Sequence, residues 1–283
     1  VIVGYVLALL AALASGSGSV LESVGVRRAG AYGGSALDLV HLRRQWVYFL
    51  GIGVDLIGFA CAAAALHRLP LFLVQSVLAF SVGVTAAITA FMGTRLAMPG
   101  WVALGVGAVG LVLLGLSAQP GPAEVLPTAW RWVLPAMALV VGAIAWYFRR
   151  FDTSWAAQVL GFATGVGFSM VGVSARTLEV PSSGWAILVE PAVWAMILNG
   201  LAAAVAFALA LQKSGATTVN AIMFTTNTAL SSVIGLVFLD DRVRDGFITF
   251  TVAGLILAMS GAIVTAHYAA HAKEPVRAVR PGS

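Results

Sequence analysis

The sequence predicts an all-α protein, a polytopic transmembrane bundle of about nine helices built as two inverted four-helix repeats joined by a central helix. Three observations lead there. Of 283 residues, 60% are hydrophobic and 10% charged, with a mean hydropathy of +0.97, whereas a soluble domain carries about 25% charged residues. The apolar residues fall in repeated runs of about 20, the length that crosses a bilayer as a helix. The second half of the chain echoes the first at near-constant spacing. The first two observations exclude a water-soluble enzyme, and a disordered chain too, which would need low hydrophobicity.

The runs cover residues 2–24, 46–66, 69–93, 98–117, 131–148, 153–175, 187–211, 216–238 and 245–267. Trp46, Trp101, Trp130, Trp132, Trp155 and Trp185 fall near their ends, as an interfacial aromatic belt requires. The first run has no positive segment before it and has an internal counterpart. It reads as a retained helix, although Ala12-Leu13-Ala14 has the small-residue character of a cleavage site. Connections 25–45 and 118–130 and the tail 268–283 are too short to hold a soluble domain with its own core. The chain therefore reads as one transmembrane domain: repeat one over 1–117, a linking helix in 118–150, repeat two over 151–267 and a tail over 268–283.

The net charge of +5 and pI near 9.9 follow from Lys and Arg gathered in cytoplasmic loops rather than from a nucleic-acid partner. Arg68, Arg131, Arg176, Arg242 and Arg244 share the side of the N-terminus; the other eleven of the 16 Lys and Arg lie on the opposite side. This asymmetry puts the N-terminus outside and the C-terminus in the cytoplasm of a multi-pass cell-membrane protein. The single cysteine, Cys61, can form no intrachain disulfide and offers no metal-ligand spacing.

The internal repeat aligns Ala14, Gly16, Gly18, Val24 and Arg27 with Ala163, Gly165, Gly167, Val173 and Arg176, at a spacing of 149. Leu66-His67-Arg68 meets Leu211-Gln212-Lys213 at 145, which sets Gln75 on Asn220. Gly100 and Gly115 meet Gly246 and Gly261 at 146. Spans one to four thus correspond to spans six to nine. Equivalent spans are separated by an odd number of crossings, so the halves insert with opposite orientation, the plan that makes alternating access natural.

Short stretches carry a family likeness: Ser15-Gly16-Ser17-Gly18-Ser19, Arg27-Arg28-Ala29-Gly30, Pro70 to Val74 continuing to Ala79-Phe80-Ser81-Val82, and Phe224-Thr225-Thr226 with Asp240-Asp241 closing that span. With the repeat plan, they make the chain resemble the drug/metabolite transporter superfamily, normally ten helices in two inverted halves. The nine-helix form is most similar to its NIPA-type magnesium-transporter branch. The resemblance implies a secondary transporter moving a small polar or cationic solute, with Mg²⁺ as the suggested substrate. The sequence departs from that branch where it matters for magnesium. The branch's second-helix Glu and Asn fall on Phe59 and Ala62, and its eighth-helix Tyr pair on Asn220-Ala221. A metabolite or amine exporter, a flippase for lipid-linked groups and, in another class, a non-transporting membrane scaffold are the alternatives.

Candidate substrate-binding residues follow from the cost of polar groups at membrane depth. A carboxylate there costs about 2.5–3.5 kcal/mol on insertion scales and is a functional hypothesis by default. Asp55 lies mid-span with Gly51 and Gly58 on its face, small neighbours that let another helix approach and bury the acid. It could bind a cation or amine, couple transport to protons, or serve as a structural acid; it is the metal candidate if the substrate is a cation. Ser15, Ser19 and Glu22 share a face suited to lining a watery cavity, although Glu22 could instead pair with Arg27 or Arg28. Asn220, Asn227 and Ser231 share a face of span eight, and Gln75 and Thr89 lie on span three. Such groups can ligate hydrated Mg²⁺ or polar metabolites, or act as interhelical glue. Glu190 before Pro191 reads as a helix start.

No catalytic constellation and no cofactor are implied. Gly105-Val106-Gly107-Ala108-Val109-Gly110 satisfies a dinucleotide-binding pattern literally, but it sits in an apolar span with no strand before it, so its glycines read as packing positions. Partners are a small solute or ion and the bilayer, with self-association left open.

A reporter fused after Ser283 is expected to be active only in the cytoplasm. Activity on the other side of the membrane would reverse the charge-based orientation.

Overall fold

The computed structural model describes residues 2–31, 46–93, 96–121, 128–178, 189–214 and 216–270, without the side chains of 26–31, 128–130, 216–217 and 270. In these residues ten α-helices run in the order α1 (Ile2–Ala31), α2 (Trp46–Leu66), α3 (Leu71–Ala79), α4 (Ser81–Phe91), α5 (Met98–Ser117), α6 (Thr128–Phe148), α7 (Ser154–Arg176), α8 (Pro191–Lys213), α9 (Ala216–Phe238) and α10 (Ile248–Ala270). Taking α3 and α4 together, nine stretches among the described residues are long and apolar enough to cross a membrane. The chain is an all-α bundle of membrane-spanning helices. Trp46, Trp101, Trp132 and Trp155 are exposed near helix ends; Trp185 and the Trp130 side chain lie outside the described residues.

The third span differs from the single helix its hydropathy predicts. It is divided at Phe80, whose N–H is shared between Ser76 O and Val77 O at 3.2 Å each, a local tightening. The Phe80 ring packs where a side chain on Gly107 of α5 would stand. Pro70 ahead of α3 and Pro191 at the start of α8 occupy positions where a missing N–H costs nothing. Glu190 is the residue before α8, and its carboxylate makes no capping hydrogen bond.

The glycines decide which helices touch. Hydrocarbon offers no hydrophobic drive between helices, so small residues that let backbones close up set the contacts. The aligned glycines do this in the same way in both halves. Gly16 of α1 meets Ser81 and Val84 of α4, and Gly165 of α7 meets Met223 and Thr226 of α9; Gly18 meets Gly51 and Asp55 of α2, and Gly167 meets Asn199 and Ala203 of α8. Each half thus has its first helix packed along its second and against its third. Between halves, α5 crosses α10 at Gly107, Gly110, Gly254 and Gly261, with a Cβ on Gly261 only 2.5 Å from the Gly107 Cα. The expectation for Gly107 and Gly110 as packing positions is met, whereas Gly105 faces open space.

Two buried apolar clusters hold the bundle. One gathers Ala8, Ala12, Leu66, Leu69, Phe72, Val74, Leu114, Met170, Val173, Ala195 and Leu239, all near the membrane end that carries Ile2, and it joins both halves. The other, around Val141, Leu160, Ala163, Ala206 and Val219, lies at the opposite end and is confined to α6–α9. A two-residue ribbon, β1 (Ala118–Gln119) against β2 (Arg242–Val243), ties the end of α5 to the approach to α10, also at the Ile2 end.

Gly110→Val is expected to destabilise the detergent-solubilised protein by about 1–3 kcal/mol, because the added atoms overlap the Ala258 backbone and come 2.8 Å from Gly254 O. Gly105→Val, which meets nothing within 4 Å, should leave the thermal midpoint within a degree or two of the parent. Equal midpoints for the two variants would contradict the α5–α10 crossing.

Candidate functional site

The two membrane carboxylates lie on one seam. α1 and α2 approach so closely that a Cβ on Gly51 would stand 2.7 Å from Glu22 Cγ and 2.9 Å from Gly18 O, and one on Gly18 would stand 3.3 Å from Asp55 Cβ. Asp55 and Glu22 are near enough for their charges to repel. Neither is paired with a cation among the described residues. Glu22 is half-buried. Asp55 is exposed: the glycines do bring α1 onto α2 as the sequence suggests, but they do not bury the acid. Arg27 and Arg28, the alternative partners of Glu22, have side chains outside the described set.

Where these acids point follows from the burial along their own helix faces. On α1 the stripe Ala8, Ala12, Ser15, Ser19, Glu22 runs from fully buried alanines to the exposed Ser19 and half-buried Glu22. On α2 the face of Asp55 is buried on both sides of the acid, at Gly51 toward the Trp46 end and at Gly58, Ala62 and Leu66 toward the other, while Asp55 itself is exposed. On α9 the stripe Asn220, Asn227, Ser231 runs from half-buried to buried. On α1 and α9 the covered end is the Ile2 end of the bundle. Gly51 and Gly58 pack on α1, so Asp55 lies on the side of α2 that borders the seam.

A hydrogen-bonded chain crosses the middle of the bundle. Asn227 Nδ2 donates to Gln75 Oε1 at 3.2 Å, Ser231 Oγ to Asn227 Oδ1 at 3.4 Å, and the Ser231 and Ser169 hydroxyls lie 2.9 Å apart. It links α3, α9 and α7, and all four residues are buried. Gly172 makes room for it: a side chain there would overlap the Gln75 amide. The sequence brings Gln75, Asn227 and Ser231 forward as candidates; nothing local marks Ser169 as the partner of Ser231. Ser19 and Thr89 spend their hydroxyls on the preceding turn, Ser19 on Ser15 O and Thr89 on Thr85 O. Asn220 is half-buried, about two turns from Asn227 toward the start of α9.

The covered end is locked by a pair that the sequence does not connect. Arg176, the last residue of α7, meets Asp241 at 2.6 Å, with side chains 1% and 0% exposed. Arg176 also donates to Leu66 O at the end of α2 and to Gly121 O at 3.1 Å. The second Asp241 oxygen accepts the Leu71 N–H at 2.5 Å, capping α3. The chain reaches this position because Asp240 takes a left-handed conformation (φ 51°), which lets the Asp241 N–H bond Gly235 O at 3.0 Å. Gly235 leaves space for the carboxylate. Burial pushes the Asp241 carboxyl above its ordinary range, and Arg176 and the Leu71 N–H pull it back. Burial, then the Arg176 charge, holds half-buried His67 below its usual value. The signal that could have found the pair is that Arg176 and Asp241 both close a span on the same side of the membrane.

Among the described residues no group of three or more His, Cys, Asp or Glu is placed to hold a metal ion. A cation at this seam would have two carboxylates and would keep much of its water shell. Comparison with protein-family models, with curated proteins and with solved structures finds no match to this chain.

Asp241→Asn is expected to lower unfolding stability by about 3–5 kcal/mol, the cost of leaving a buried guanidinium without its counter-charge. Asp240→Asn, which touches only an exposed pair with Arg242, should cost less than about 1 kcal/mol. Chemical denaturation of both variants in one detergent tests the contrast.

Proposed function

We propose that the protein is a secondary transporter of the drug/metabolite transporter type, moving a small cationic or polar solute by alternating access between its two halves. The observation that carries this reading is the pair of carboxylates Asp55 and Glu22, neither paired with a cation among the described residues. They lie within membrane spans on the α1–α2 seam, Asp55 exposed and Glu22 half-buried, while the Arg176–Asp241 pair is buried at the Ile2 end. A structural acid in hydrocarbon acquires a partner. An acid left uncovered on an inner face is stabilised by water and is available to a solute.

The halves are joined by a buried core and by the Arg176–Asp241 lock at the Ile2 end, whereas the buried core of the opposite end belongs to α6–α9 alone. This is the arrangement of one access state. Solute enters along α1, α2 and α9 from the end opposite Ile2 and meets Asp55 and Glu22 above the Gln75–Asn227–Ser231–Ser169 chain. The other state requires the Arg176–Asp241 contacts to part. With the C-terminus in the cytoplasm, as the loop charges argue, the open end faces the cytoplasm. Mg²⁺ with retained water is the substrate that the family resemblance suggests; an amine or other polar metabolite is the alternative for the same two acids.

Reconstituted into liposomes, the protein is expected to give saturable flux of Mg²⁺ or of an organic amine, with the non-transported one of the two competing weakly or not at all. Asp55→Asn should reduce the flux by about ten- to a hundredfold, as loss of a charged contact worth about 1.5–3 kcal/mol implies, with the thermal midpoint little changed. Normal flux with a lowered midpoint would make Asp55 a structural acid. Absence of saturable flux for every solute tried would favour a membrane scaffold.

A further inference from the structure

On the outer face of the second half, α6 and α8 diverge and leave an open groove of about 420 Å³, lined by Gly142, Ala145, Trp146, Leu201, Ala202 and Val205, with Arg149 at its mouth. The groove exists because its floor is made of small residues; a Cβ on Gly142 would meet nothing within 4 Å. Its apolar walls suit an acyl chain, and lipid is the solvent on this face.

The mouth is what selects an occupant. Arg149 is exposed, and its guanidinium carbon lies over the Trp146 ring, 3.5 Å from the centroid. The ring contact holds an exposed guanidinium at the groove, a group that suits bidentate contact with a phosphate. No acid among the described residues is paired with it. The nearby Asp152 is taken by Lys213 at 2.8 Å, and that same Lys213 donates to Arg149 O at 2.9 Å, fixing the α6 end beside the α8 end. Arg149, Arg150 and Lys213 against Asp152 leave this end basic. It is the end that the loop-charge asymmetry assigns to the cytoplasmic leaflet, where anionic lipids attract basic residues. Trp146, Tyr147 and Trp155 crowd the same level, the depth of lipid headgroups.

We propose that this α6–α8 groove is a binding site for an anionic phospholipid, with one acyl chain lying on Gly142, Ala145 and Ala202 and the phosphate on the Arg149 guanidinium. The site is separate from the α1–α2 seam, on helices that the solute path does not use. It stands whether or not the chain transports.

The test is native mass spectrometry of the full chain released from mixed micelles holding equal amounts of phosphatidylglycerol and phosphatidylcholine with matched acyl chains. The parent protein should retain phosphatidylglycerol preferentially. Arg149→Gln should reduce that preference by about five-fold, the effect of one basic residue beside an anionic lipid surface. Gly142→Leu, which fills the groove without a clash, should reduce retention of both lipids while leaving the thermal midpoint unchanged. Equal retention of the two lipids by the parent, or an unaltered preference in Arg149→Gln, would overturn the proposal. So would a Gly142→Cys disulfide dimer forming in the membrane at high yield, which would assign the groove to a second copy of the chain.

Discussion

The bundle depends on one buried ion pair. Arg176 and Asp241 come from the ends of two helices in the second half, yet they also bond the first half, at Leu66 O and the Leu71 N–H, and Arg176 reaches Gly121 O in the connection between the halves. Removing two charges from water costs several kcal/mol each, and such a pair persists only when further hydrogen bonds complete it. Here the completing groups are helix termini. Asp241 caps the N-terminus of α3 and Arg176 closes the C-terminus of α7, each favourable for the sign of charge that the helix end attracts. One interaction therefore joins α2, α3, α7 and the segment after α9, and with the β1–β2 ribbon and the Tyr5–Gly115 hydrogen bond it closes one end of the molecule.

Closure at that end has a consequence for the membrane acids. Because the shared apolar core gathers around the lock, the stripes of α1 and α9 that carry polar residues are covered there and less covered beyond it. Glu22 lies on the less covered part of α1, and Asp55 beside it on the seam is exposed. The buried amides and hydroxyls of Gln75, Asn227, Ser231 and Ser169 instead bond one another, which is why they tolerate burial. The amide–hydroxyl chain joins α3, α7 and α9, whereas the two acids have no cation partner among the described residues.

The spans, their number and their ends were legible in the residues because crossing a bilayer imposes a local requirement, enough consecutive apolar side chains, that any window of the chain either meets or fails. The repeat was legible for a similar reason. Gly16 and Gly18 have counterparts in Gly165 and Gly167 because close helix approach needs a missing side chain at a fixed place on the helix, and the four glycines make equivalent contacts. The candidate residues were legible as types, since carboxylates and amides in an apolar run are conspicuous.

Their arrangement was not legible, because it rests on contacts between residues far apart in the chain. Hydropathy gives the third span as continuous; the division at Phe80 arises where its ring meets Gly107 of α5. Glycines beside Asp55 suggested a buried acid, but they admit α1 along the seam and leave the carboxylate to one side, uncovered. Arg176 counts in the sequence as one loop charge among sixteen basic residues, and only the tertiary structure shows it desolvated and matched to Asp241. The sequence by itself determined that this chain lies in a membrane and which polar residues it carries there, since burial in lipid is decided span by span. The tertiary structure alone decided which of those residues are satisfied by one another and which are left for water or a solute, because pairing depends on distances across the bundle that no local pattern encodes.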